Sequence, residues 1–243
     1  DVHSHPTWRS VECAMSSTRR IVRIAEKYNK KAHVLHITTK EEIDFLSQHK
    51  GNITFEITPQ HLTLYAPDCY DKLGTYAQMN PPLRDKSHYD RLWFAVKNNL
   101  NDTIGSDHAP HLKSNKDKVY PNSPSGMPGV QTLMSVMLNH VNDGKLELNQ
   151  LINLVCENPI KIFGIKNKGF IKQGYDADFT IVDMNKKIVI KNENIESKCR
   201  WSPFNGYEFK GTPVSTIVGG QIKMRDGKIN GKAEGKPLIF ETT

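Results

Sequence analysis

The stretch AHVLHITTKEEIDFLSQHKGNITFEI, residues 32–57, decides the fold. AHVLHI, residues 32–37, is a short apolar run of the kind that forms a buried strand. Thr39 and Glu42 stand three apart at the head of EEIDFLSQH, the spacing of a capping box that opens a helix. Gly51 closes that helix, and ITFEI, residues 53–57, reads as the next strand. Upstream, Val11, Ala14, Met15, Ile21, Val22, Ala25 and Tyr28 recur at helical spacing behind Ser10, a residue suited to an N-cap. Downstream, Ser87 is expected to cap the helix HYDRLWFAVKNNL, and DTIGSD, residues 102–107, reads as a third strand. Strands alternating with helices at this pace mean βα units and a parallel sheet. The pace suits a TIM-type (β/α)8 barrel, which needs about 250 residues for its eight units. Only the first half of this chain is spent on such units, so the expected class is α/β, with a partial barrel.

A segment from Thr58 to Lys86 separates the second strand from its helix and contains NPPLR, residues 80–84. Residues 129–163 read as a helical stretch. After Lys168 the texture changes. GFIKQGYDADFTIVD and TPVSTIVGGQIKMRDGKINGK are short alternating runs divided by Gly and Asp turns, the pattern of small antiparallel strands. Two domains are expected: 1–167 as barrel and 168–243 as a small β-sandwich piece.

Composition narrows the function. The 243 residues carry a formal net charge of +7, but the lysines are spread along the chain rather than clustered with stacking aromatics. A nucleic-acid partner is therefore not expected. Mean hydropathy is −0.56 and no apolar run is long enough to span a bilayer, so no membrane role is expected. Cys13, Cys69, Cys156 and Cys199 are far apart, as reduced thiols are and a disulfide frame or zinc cage is not. With no leader visible, the expected location is cytoplasmic. A start at Asp1 rather than Met is expected of a processed chain or a piece of a longer one.

Four motifs bear chemistry. In HVLHITT, His33 and His36 differ by three and would face opposite ways on a strand. His36 lies nearer the C-terminal end, where barrel enzymes keep their sites, and is the better metal-ligand candidate. In GSDHAPH, residues 105–111, Asp107 closes a strand, where a carboxylate can bind a cation and also act as a base. His111 follows beyond Pro110. In NPPLR, two prolines stiffen a loop that can hold the Asn80 amide ready for a polar ligand. In SPSGMPGVQT, residues 123–132, backbone near Pro128 and Gly129 could approach a ligand closely. His3 and His5, two apart in DVHSHPTWRS, have the spacing of a metal-binding strand, yet Pro6 and Trp8 fit a loop entering a helix.

Together these motifs resemble the cyclic amidohydrolases, and most of all the type I dihydroorotases. HVLHITTKEEI is similar to the family's sixth barrel strand, whose last His binds the metal. ITFEITPQHLTL resembles the seventh-strand region, NPPLR with GSDHAPH the eighth-strand signature, and KGFIKQGYDADFTIVD with TIVGGQI the accompanying β-sandwich. The HAPH ending favours dihydroorotase over allantoinase or hydantoinase, which share the architecture.

The resemblance implies metal-dependent hydrolysis of a cyclic amide, with dihydroorotate and N-carbamoyl-aspartate interconverted in pyrimidine synthesis. It implies zinc, often as a pair bridged by an upstream lysine carbamate. His36 and Asp107 would be metal ligands, with Asp107 also the catalytic base and then acid. Asn80 and His111 would hold the substrate, with Pro128 and Gly129 walling the site. The family's H-x-H pair lies on its first strand, and only one helix separates His3 and His5 from HVLHITT, so the pair is set aside; the open alternative is His3 as a fifth-strand ligand. The chain would then begin near strand six of a longer enzyme, a homo-oligomer acting on a small molecule, and would be inactive and poorly folded by itself. Allantoinase, hydantoinase and a catalytically silent homologue remain alternatives; the retained His36, Asp107 and His111 speak against the last.

Overall fold

A computed structural model describes residues 1–241. Three parallel strands, β1 (Ala32–Val34), β2 (Ile53–Ile57) and β3 (Thr103–Ile104), form one sheet in the order β1-β2-β3. The register pairs His33 with Thr54 and Glu56 with Thr103. Alternation on β2 then divides the faces. Ile53, Phe55 and Ile57 are fully buried on the same side as Leu46 of the helix Lys40–Leu46 and Leu92 and Val96 of the helix Lys86–Lys97. Thr54 and Glu56 point the other way, to the inward face of the sheet turned from those helices.

Local chemistry explains the ends. The capping box is present: Glu42 N donates to Thr39 Oγ1 at 3.0 Å, and the Glu42 carboxylate accepts from Thr39 N at 3.2 Å. Glu42 also accepts from Thr18 Oγ1 of the helix Val11–Lys27 at 2.7 Å, so one buried carboxylate ties two helices. Ser10 caps that helix by accepting from Cys13 N. For Lys86–Lys97 the cap is Asp85, not Ser87. Asp85 has extended backbone and accepts from Ser87 N at 2.8 Å, which leaves Ser87 inside the first turn. The long segment 58–86 carries a short helix, Asp68–Leu73. The expected helix over 129–163 starts at Leu133 and is broken after Asn142 by a turn in which Gly144 takes a positive φ. It resumes as consecutive helical segments, Leu148–Ile152, Asn153–Glu157 and Asn158–Phe163.

The C-terminal strands β4 (Phe179–Val189), β5 (Glu208–Val218), β6 (Gln221–Arg225) and β7 (Lys228–Ile229) make a single antiparallel sheet in sequence order. Secondary structure changes where the sequence places the 167/168 boundary, but the compact units divide elsewhere. One is Asp1–Leu133 with Ile190–Tyr207; the other is Met134–Val189 with the chain from Glu208 onward. Side-chain chemistry explains the second grouping. Asn142 Nδ2 donates to Met184 O at 3.0 Å and to Lys210 O at 2.9 Å, so the Leu133–Asn142 helix is hydrogen-bonded to β4 and β5. Gly211 takes φ +96° with Leu138 Cβ only 2.9 Å from where its own Cβ would be, so that strand accepts the helix only without a side chain.

All four cysteines are free thiols. Among the described residues, no helix is long and apolar enough to cross a membrane.

Thr39→Ala in the full-length protein removes the side-chain half of the capping box. It should lower stability by about 1 kcal/mol, read as an earlier urea midpoint. An unchanged midpoint would show the helix start is held by packing alone.

Candidate active site

His36 and Asp107 sit at the C-terminal ends of β1 and β3, on the same edge of the sheet. Each takes a positive φ, 38° and 39° respectively. Non-glycine residues rarely adopt that conformation, and they do so where the surroundings impose it. The consequence is a departure from simple strand alternation. β1 ends at Val34, so His33 and His36 do not face opposite sides of one continuous strand. Both reach Glu56, one through its backbone and one through its ring: His36 N donates to Glu56 Oε1 at 3.4 Å, and His33 Nε2 lies 3.5 Å from Glu56 Oε2. His33 Nδ1 is 2.8 Å from Thr54 Oγ1, which seats the ring on the inward face.

Glu56 is the site residue that sequence patterning missed. An acidic residue at an inward strand position was the available signal, since such a position demands a partner or a charge to face. Gly105 leaves it room: a Cβ there would lie 2.4 Å from the Glu56 carboxylate.

Electrostatics link the group. The Asp107 carboxyl is pushed above the usual carboxylate range, first by burial, with the Glu56 charge adding to the rise and His36 opposing it. His36 in turn disfavours a charge on His61, whose pKa falls to about 3 chiefly through complete burial. His61 is thus a neutral core histidine. Its Nδ1 faces Thr58 Oγ1 at 2.7 Å and its Nε2 faces Pro81 O at 3.1 Å.

The donor set suits a cation. His36 Nδ1 is buried with no hydrogen-bond partner, an orphaned acceptor or donor that a protein interior rarely tolerates. An imidazole nitrogen beside a half-buried carboxylate is ligand chemistry for zinc. Among the described residues no group of three or more His, Cys, Asp or Glu is placed to hold a metal.

The remaining predicted residues lie on loops that brace one another. His111 Nε2 donates to Ser125 O at 3.1 Å, and its own carbonyl accepts from Trp201 Nε1 at 2.7 Å. Gly126 N donates to Gln78 O, and Gln78 Nε2 donates to Ser123 O, both at 2.9 Å. Gly129 N donates to His108 Nδ1 at 3.1 Å, next to Pro128. Gln60 Nε2 donates to Ser106 O at 2.9 Å. Asn80 is exposed, and its Oδ1 lies 3.1 Å from His5 Nε2. His3 and His5 do not form a strand. His3 lies in the turn Val2–Ser4, 2.8 Å from Asp71, and His5 begins the short helix His5–Trp8.

The Amidohydrolase family model matches residues 9–223. The chain belongs to the amidohydrolase family. It is 36% identical over 225 residues to a dihydroorotase of Methanosphaera stadtmanae, covering 91% of this chain and 51% of that protein. It is 37% identical over 228 residues to a dihydroorotase of Pyrococcus abyssi, covering 93% of this chain and 54% of that one. Among solved structures it is similar to an L-hydantoinase (dihydropyrimidinase) from Arthrobacter aurescens, with a TM-score of 0.85 and 30% identity over 89% of this chain and 50% of that one. It also resembles a dihydropyrimidinase from Brevibacillus agri NCHU1002, with a TM-score of 0.87 and 25% identity over 94% of this chain and 52% of that one. The chain thus spans about half the length of the amidohydrolases it matches.

Gly129→Ala would place a Cβ 2.3 Å from Ser106 O and 2.5 Å from Gln60 Nε2, which forces the Ser106 backbone next to Asp107 to move. In the full-length enzyme this should cut turnover by about 10–100-fold while far-UV circular dichroism stays unchanged. Wild-type turnover would show that the two loops tolerate separation.

Proposed function

We propose that the full-length protein is a dihydroorotase, a zinc hydrolase that interconverts dihydroorotate and N-carbamoyl-aspartate. The observation that carries this is the 36% and 37% identity to dihydroorotases along nine-tenths of the chain. That stretch includes GSDHAPH and NPPLR. A hydantoinase or allantoinase is the second reading, favoured by the fold likeness to an L-hydantoinase at TM-score 0.85. Its 30% identity makes it the weaker of the two.

In this proposal residues 1–167 are barrel and 168–243 sandwich by secondary structure. His36 and Asp107 hold zinc together with ligands from outside this chain, two ions in all. Zinc, when bound, supplies an acidified water and polarises the scissile carbonyl. Asp107 takes a proton onto its carboxylate from the attacking water and hands it to the leaving ring nitrogen, base first and then acid. Glu56 keeps His36 aimed by accepting its backbone N–H. Asn80 and His111 hold the polar ring edge and the carboxylate, and the backbone at Pro128 and Gly129 closes one wall. The enzyme would act on a small molecule as a homo-oligomer in the cytoplasm, a reducing compartment that fits four free thiols.

Asp107→Asn in the full-length enzyme should retain most zinc and lose at least about 100-fold in dihydroorotate turnover. Turnover near wild type would remove Asp107 from this role. Good turnover of allantoin or a hydantoin, with none of dihydroorotate, would transfer the assignment to the second reading.

A further inference from the structure

His5 is buried, with 4% exposure, although its place in the sequence offers it no metal to bind. Both ring nitrogens are engaged. Nε2 lies 3.0 Å from Met79 O and 3.1 Å from Asn80 Oδ1. A main-chain carbonyl can only accept, so Nε2 must carry the proton. The Asn80 atom facing that N–H is therefore the oxygen, which settles the orientation of the amide on chemical grounds. Nδ1 is left as the acceptor, and the Tyr120 hydroxyl stands 3.4 Å from it with the two rings edge to face at 5.7 Å. The neutral ring this requires agrees with the lowering of the His5 pKa by burial.

The backbone before Asn80 is fixed from the other side. Lys116, fully buried, donates through Nζ to Gln78 O at 3.0 Å and to Pro124 O at 2.7 Å. Consecutive carbonyls at 78 and 79 are thus held by Lys116 and His5. What remains uncommitted at the exposed Asn80 is its Nδ2 end, which has two N–H donors and no acceptor.

We infer that His5 is a positioning residue that holds Asn80 with its NH2 end outward, so that the site accepts a ligand presenting an acceptor oxygen there and rejects one presenting an N–H. A ring carbonyl or a carboxylate meets that requirement. The inference rests on the proposed cyclic-amide chemistry and assigns the polarity of one of its contacts.

The test is a double-mutant cycle in the full-length, zinc-loaded enzyme, read on whichever cyclic amide the wild type opens. His5→Leu should raise KM about fivefold, the effect of one lost hydrogen bond of about 1 kcal/mol. kcat should stay within about threefold and zinc content should not change. In an Asn80→Ala background the same change should add almost nothing, because His5 acts through Asn80. His5→Gln, which keeps both a donor and the volume, should return KM to within about twofold of wild type, and it serves as the decisive variant if His5→Leu does not fold. An unchanged KM in His5→Leu, full additivity with Asn80→Ala, or a KM for His5→Gln more than about fivefold above wild type overturns the inference and leaves the proposed function standing. A wild type that opens neither dihydroorotate nor a hydantoin overturns the proposed function and this inference with it.

Discussion

The site depends on β2, the central strand of the parallel sheet. Its odd positions, Ile53, Phe55 and Ile57, are buried with the apolar faces of the flanking helices, and its even positions, Thr54 and Glu56, are thereby forced inward. A register slip of one residue would exchange the two sets and bury a carboxylate under the helices, at a cost the fold could not meet. Apolar packing on one side therefore fixes the polar chemistry on the other. Glu56, held in this way, receives the backbone N–H of His36 just past β1 and lies against Gly105 just past β3. One side chain thus relates all three strand ends.

Much of this was legible in the sequence because it rests on local rules. The Thr39/Glu42 capping box, the Ser10 cap and the limits of β2 follow from residue type at fixed spacing, and each forms as expected. The strand termini did not follow. AHVLHI reads as six continuous strand residues, yet β1 stops at Val34 and His36 takes a positive φ. That conformation comes from the tertiary surroundings, which no propensity encodes. The sequence points to Ser87 as a cap, yet Asp85 two residues earlier takes that place, because its extended backbone lets its carboxylate accept from Ser87 N.

Glu56 and His5 escaped for a related reason. Chemical motifs in sequence are found by density, as in GSDHAPH, where Asp, His and Pro crowd together. Glu56 stands alone in an apolar strand, and its meaning appears only when the register puts Thr103 opposite and Gly105 within reach. His5 drew attention through its spacing from His3, and that pairing is irrelevant: His3 faces Asp71 in a turn, while His5 is buried against Met79 and Asn80. The contact that gives His5 its role spans more than seventy residues of sequence.

The loops around Asn80 and His111 show how a precise site is built on irregular backbone. Neither segment belongs to a sheet or a long helix, so neither inherits rigidity from repeated hydrogen bonding. Rigidity comes from buried and half-buried donors aimed at main-chain carbonyls: His5 at Met79, Lys116 at Gln78 and Pro124, Trp201 at His111, and the half-buried His111 at Ser125. A buried lysine whose hydrogen-bond acceptors are carbonyls carries a desolvation cost, and burial draws its pKa down to about 8. A carboxylate partner would have relieved that cost, but in the proposed chemistry it would also put a negative charge behind loops that hold an anionic substrate. Neutral carbonyls hold the lysine without adding that charge, so its positive field is not cancelled at the loops around Gln78 and Pro124. Within the proposed chemistry, the same group that stiffens the site also biases it toward a carboxylate-bearing ligand.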